Sequence, residues 1–108
     1  MKLLEETVIG TKRTPNRMAV LPMENNLADE TGGPSDETIA RYSLLADGGW
    51  GVVFVEATSV TRASLGNVLG LVLDERTAPD FLRRAGFRIL MERRGQNRRR
   101  LTYVCGRA

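Results

Sequence analysis

The chain has 108 residues, a formal net charge of +3, no histidine and one cysteine, Cys105. That length allows a single domain. The missing histidine removes Ser-His and Cys-His nucleophilic pairs and imidazole-bound metals, and one cysteine makes neither an internal disulfide nor a cysteine-built zinc site. The apolar runs fall far short of the roughly 20 residues that cross a bilayer, and Met1–Glu6 turns acidic after two leucines, so the expectation is a soluble, cytoplasmic protein with no membrane partner.

Thr7-Val8-Ile9 is a β-branched run closed by Gly10, which predicts a brief strand before a turn. Lys12–Asn16 places proline and asparagine at turn positions. Met18-Ala19-Val20-Leu21 is apolar without alternation, as in a strand covered on both faces of a parallel sheet, and Pro22 ends it because it cannot donate to a ladder. Residues 23–34 are polar and rich in turn formers. Ser35 is placed to cap a helix whose first turn carries Asp36 and Glu37. Ile39, Tyr42 and Leu45-Ala46 follow at helical spacing, and Gly48-Gly49 supply the stop.

Val52-Val53-Phe54-Val55 is a second buried-strand signal. Residues 58–73 read as a long connection in which Arg62 is a weak anion-binding candidate. Thr77 is placed to cap a second helix with Pro79 in its first turn, running through Phe81-Leu82 and on to Ile89-Leu90. Leu101–Val104 is a last, weaker strand. The order implies an α/β fold of right-handed βαβ units, βαβαβ with parallel strands.

The charge is divided unevenly. Residues 1–85 hold nine Lys/Arg against twelve Asp/Glu, whereas residues 86–108 hold seven arginines against Glu92 alone. Three readings of this arginine-rich tail stay open: a shifted reading frame of a GC-rich gene, an exposed basic end, or a nucleic-acid-binding tail that neutralises phosphates. The last makes a small basic nucleic-acid-binding protein the alternative reading of the whole chain. Tyr103 is the one aromatic near the clustered arginines, and that weakens it.

Ligands of parallel α/β folds bind beyond the carboxyl ends of the strands. That rule selects Pro22–Asn26 after the first buried strand and Glu56–Ser59 after the second. The two segments offer backbone groups, a small side chain at Ala57 that lets a flat ligand approach, and two carboxylates, Glu24 and Glu56. These carboxylates are read either as an acid/base pair or as cap and salt-bridge partners. Gly48-Gly49-Trp50-Gly51 precedes a strand and lacks the spacing of a phosphate loop, so it reads as a helix stop and tight turn.

Asn16-Arg17-Met18-Ala19-Val20-Leu21-Pro22-Met23, followed by Asn26-Leu27-Ala28 and Gly33-Pro34-Ser35-Asp36, resembles the opening of the Old Yellow Enzyme type of NADH:flavin oxidoreductases. The likeness continues through Tyr42, Ala46, Gly48–Val60, Leu69-Gly70-Leu71 and Asp74-Glu75, and fades after Ala85. It implies residues 1–85 as the N-terminal part of an FMN-binding TIM (β/α)₈ barrel, with 86–108 as a divergent tail.

Non-covalent FMN, NAD(P)H as reductant and an activated alkene or enoyl thioester as small-molecule substrate come with the resemblance. So do site roles: Leu21, Pro22 and Met23 at the isoalloxazine edge, Glu24 beside flavin N5 and O4, and Ala57 against the ring. Glu24 stands where many members carry Thr or Cys, and the glutamine usual on the third strand has no counterpart. The resemblance also implies a fragment that is inactive alone and leaves sheet edges open; a third reading is a structural or assembly role, in which those edges pair with a separately encoded C-terminal remainder.

Overall fold

The computed structural model describes residues 2–61, 69–94 and 101–107. A short 3-10 helix, Lys2–Leu4, leads into a hairpin of β1 (Thr7–Ile9) and β2 (Lys12–Thr14). The two strands pair antiparallel with Ile9 opposite Lys12, leaving Gly10-Thr11 as the turn. Gly10 takes φ 61°, which a tight hairpin turn requires of its first central residue. Lys12–Thr14, expected as turn, is therefore strand, because the two-residue loop commits the next residues to pairing.

The first βαβ unit is as the apolar pattern predicts. β3 (Ala19–Val20) runs parallel to β4 (Val52–Val53), with Ala19 opposite Val52 and Val20 opposite Val53. Helix α1 (Asp36–Asp47) is the crossover between them. Ser35 caps it in a reciprocal box: its hydroxyl accepts from the Thr38 amide (3.1 Å), and the Ser35 amide donates to the Thr38 hydroxyl (3.3 Å). Both hydroxyls also donate to the Leu27 carbonyl, tying the helix start to the preceding loop. Gly48 closes the helix through its amide to the Leu45 carbonyl.

The connection after β4 contains strands of its own. β5 (Thr58–Ser59) pairs parallel with β6 (Leu71–Val72). Two-residue strands leave no periodicity to read, so the sequence alone shows this span only as a connection. The Val72 amide donates to the Gly32 carbonyl at 2.7 Å, so the loop before α1 is stitched to β6. Arg62 lies outside the described residues.

Helix α2 (Thr77–Arg84) follows. Its N-cap position is Arg76, which makes no side-chain cap bond, and Asp74, not Thr77, supplies the carboxylate that meets the first amides. The Asp74 carboxylate accepts from the Arg76 and Thr77 amides (both 2.8 Å), its carbonyl accepts from Ala78, and its amide donates to the Thr77 hydroxyl. Those amide donors hold the Asp74 carboxyl below its ordinary range. A depressed folded-state pKa adds stability that is present above the unfolded pKa and lost as pH falls through the folded one. Asp74→Ala is expected to lower stability by about 1 kcal/mol at pH 7. In urea titrations the gap between the two proteins should close as the pH is taken below the carboxylate range.

The chain after α2 departs from expectation. Gly86, at φ 96°, breaks the helix, and Ile89-Leu90 enter a strand instead of continuing α2. β7 (Phe87–Arg94) pairs antiparallel with β8 (Leu101–Arg107), so the last strand of the predicted parallel βαβαβ run is antiparallel. Six residues separate the two strands. A parallel return needs a crossover of about a dozen residues or more, so a hairpin is the pairing this length permits.

The core lies between the two helices and one face of the strands. Tyr42, Leu71, Leu73, Ala78, Phe81, Leu82 and Ala85 are buried there, with Val53, Val55, Phe87 and Ile89 packed against them. Alternation along β4 and the extended residues that follow it sends Val53 and Val55 inward and leaves Phe54 on the opposite face, 51% exposed. That uncovered face is continuous with exposed Leu21 and Met23 beyond β3.

Candidate functional site

The parallel pairing of β3 with β4 carries their carboxyl ends to the same side. The Phe54 amide donates to the Val20 carbonyl at 3.0 Å, so the two strands are still in register as they end. Pro22–Asn26 and Glu56–Ser59 therefore emerge side by side, as the strand order predicts.

What joins them is Glu56. Its side chain is 4% exposed. Oε1 accepts from Asn25 Nδ2 (2.8 Å) and the Tyr42 hydroxyl (3.0 Å), and Oε2 accepts from the Asn25 amide (3.1 Å). The Glu56 amide in turn donates to the Tyr42 hydroxyl oxygen at 2.9 Å. A buried carboxylate of this kind is tolerated because donors meet both its oxygens. Glu56 thus faces protein on every side described. Of the two readings of these carboxylates, the bonds of Glu56 agree with a structural partner role, while Glu24 lies exposed.

Tyr42 projects from α1 into this network and is itself 2% exposed. Its ring meets Phe81 edge-on, with centroids 5.3 Å apart and planes at 87°. Burial, reinforced by the neighbouring Glu56 charge, pushes the Tyr42 phenol from 10.0 up to about 12, against the opposing effect of the Glu56 amide. The raised value makes the neutral phenol a contributor to stability that is complete below the unfolded pKa and disappears as pH climbs through the folded one. Denaturation midpoints should therefore fall between pH 10.0 and about 12, and Tyr42→Phe should remove that component of the fall.

The candidate contact residues lie at the rim of this network. Leu21 is 65% and Met23 75% exposed, and Pro22, Glu24 and Ala57 are exposed as well. Val20, Leu21, Met23, Asn25, Arg41, Tyr42, Leu45 and Phe54 line an open cleft of about 230 Å³ between α1 and the strand ends. The Met23 amide is already engaged by the Leu21 carbonyl at 2.9 Å. Of the predicted contact residues, Leu21 and Met23 stand in the lining of this cleft, an open and partly apolar surface on which a flat aromatic ring could be held by contact area.

Two residues important to this geometry carried no sequence signal for it. Asn25 read as one of several turn formers, yet it is the link between the two segments. Asn16, also read as a turn residue, is buried and donates from Nδ2 to the Gly49 carbonyl (2.7 Å) while its Oδ1 accepts from the Met18 amide (3.1 Å). It fastens the start of β3 to the glycine turn before β4. That turn is a helix stop as expected, with Gly49 at φ 79°. Among the described residues, no helix is long and apolar enough to cross a membrane.

Comparison with solved structures finds neighbours of the kind the resemblance names. The chain is similar to a 2-naphthoyl-CoA reductase in complex with 2-naphthoyl-CoA, with a TM-score of 0.68 and 24% identity over 79% of this chain and 13% of that one. It is similar to the old yellow enzyme from Trypanosoma cruzi, with a TM-score of 0.66 and 21% identity over 79% of this chain and 22% of that one. A structure of TcOYE with pHBA gives a TM-score of 0.65 and 21% identity over 78% of this chain and 22% of its own. The chain thus spans less than a quarter of the length of each of these structures. No family model and no curated protein matches it.

Proposed function

We propose that the chain forms part of the flavin-binding barrel of an Old Yellow Enzyme-type oxidoreductase, with its FMN contacts at the ends of β3 and β4. The observation that carries this reading is the direct bonding of Asn25 to Glu56, which sets two strand-end segments beside each other, the first of them carrying exposed Met23 next to exposed Leu21. The likeness in fold to a 2-naphthoyl-CoA reductase and to old yellow enzymes supports it.

When bound, FMN supplies the chemistry: hydride taken from NAD(P)H and passed to an activated alkene or enoyl thioester. The chain's own residues bind and orient. Leu21, Pro22 and Met23 would cover one edge of the ring, and Ala57 would leave room for its plane. Glu24 would stand beside the polar edge. The chain has no histidine to hold a substrate carbonyl. Without that donor the 108 residues alone are expected not to turn over an enone, and, spanning less than a quarter of the similar structures, to bind flavin weakly.

Titration of the purified chain with FMN, followed by quenching of flavin fluorescence, tests the reading. Saturable quenching that weakens when Ala57 is replaced by a bulky residue supports it. Quenching that never saturates, or that ignores Ala57→Leu, overturns it.

A further inference from the structure

We infer that Glu56 is the positioning residue of this flavin site, fixing through Asn25 the height of the Leu21–Glu24 ledge above Ala57; the inference rests on the function proposed above. The argument starts from where Glu56 sits. It directly precedes Ala57 in the chain, and its side chain bonds both the backbone amide and the side-chain amide of Asn25. Asn25 directly follows Glu24. Both sides of the candidate site are therefore referenced to one buried carboxylate.

The third partner makes that point rigid. Tyr42 bonds Glu56 twice, giving its hydroxyl proton to Oε1 and accepting from the Glu56 amide. The tyrosine is held by α1 and by its edge-on contact with Phe81. The carboxylate thus cannot swing without breaking its bond to the helix residue Tyr42, and Asn25 cannot lift without leaving both carboxylate oxygens short of a donor. A contact surface kept in place by a braced residue behind it binds with less ordering cost than a loose loop. This role also explains why an acidic side chain is enclosed at the end of an apolar strand, where it would otherwise be costly.

The test is FMN affinity of the full chain, read by flavin fluorescence, at a temperature where thermal unfolding curves show every variant folded. Asn25→Ala removes the side-chain donor and leaves the core intact, so it serves where Glu56→Ala fails to fold. Either variant is expected to weaken FMN binding about tenfold, equivalent to roughly 1.4 kcal/mol. Glu56→Gln, which keeps one acceptor for Tyr42 and Asn25, should recover part of the loss. Asp74→Ala, destabilised at a helix cap away from the network, should bind FMN as the parent does. Parent-like affinity in Asn25→Ala and Glu56→Gln, or an equal loss in Asp74→Ala, overturns the positioning role while leaving the flavin-binding proposal standing. Failure of the parent chain to bind FMN would instead remove the proposal beneath it.

Discussion

Gly51→Ala is expected to destabilise the chain by about 3 kcal/mol, more than any other single methyl added to its glycine turn. A Cβ at position 51 would lie 2.5 Å from the Asn16 carbonyl oxygen, 2.7 Å from Asn16 Oδ1 and 3.1 Å from the Met18 carbonyl oxygen. None of these atoms is at the loose end of a flexible side chain. The Asn16 carbonyl accepts from the Thr14 hydroxyl, and its side chain is committed to Gly49 and Met18. The Met18 carbonyl accepts the Val52 amide that begins the parallel pairing.

Relief of the clash therefore breaks either the Asn16 bonds or the first rung between β3 and β4. Gly49→Ala is the internal comparison. It meets nothing within 4 Å but sits at φ 79°, so its cost is the left-handed backbone alone, about 1 kcal/mol. Urea denaturation of both variants should rank Gly51→Ala well below Gly49→Ala. The reverse order would mean that Asn16 is not the fixed wall it forms here.

The contrast between these two glycines shows what could be read from the chain and what could not. Gly48-Gly49 after a helical stretch is a local signal, because a left-handed residue at a helix end depends on nothing distant. Ser35 is legible for the same reason: its capping partner is three residues away. The unalternated runs at Met18–Leu21 and Val52–Val55 announce two strands and a parallel relation, and so the side-by-side placement of the loops that follow them.

Gly51, by contrast, is small because of Asn16, and the buried state of Glu56 depends on Asn25 and Tyr42, 31 and 14 residues away in sequence. Such pairings leave no spacing to detect. A carboxylate at a strand end looks the same whether it faces a ligand or a tyrosine. In the arginine-rich stretch the composition speaks of charge, while Phe87 and Ile89 pack against the core from β7. Gly86 breaks the helix there, so Ile89-Leu90, which the apolar spacing assigns to the second helix, stand in β7 instead.

Phe81→Ala is expected to have the largest effect, a loss of about 3–5 kcal/mol that leaves little of the folded population of so small a chain. Phe81 is 1% exposed and occupies the middle of α2, between buried Ala78 and Leu82. Its removal opens a cavity that α2 cannot fill by moving, because Asp74 pins one end of the helix and the Ala85 carbonyl accepts from the Ser43 hydroxyl near the other. It also deprives Tyr42 of its edge-on partner, worth about 1 kcal/mol beyond the area lost.

The second consequence separates a cavity from general loosening. Water admitted beside Tyr42 would relieve the desolvation that holds its phenol near 12, so alkaline titration of the folded variant should bring that value back toward 10.0. Phe81→Leu, which refills most of the volume without a ring, should recover much of the stability and keep the phenol raised. A Phe81→Ala protein with parent-like denaturation and an unchanged tyrosine titration would show that α2 does not bear on the Tyr42–Glu56 brace, and the link from core to site would have to be drawn through α1 alone.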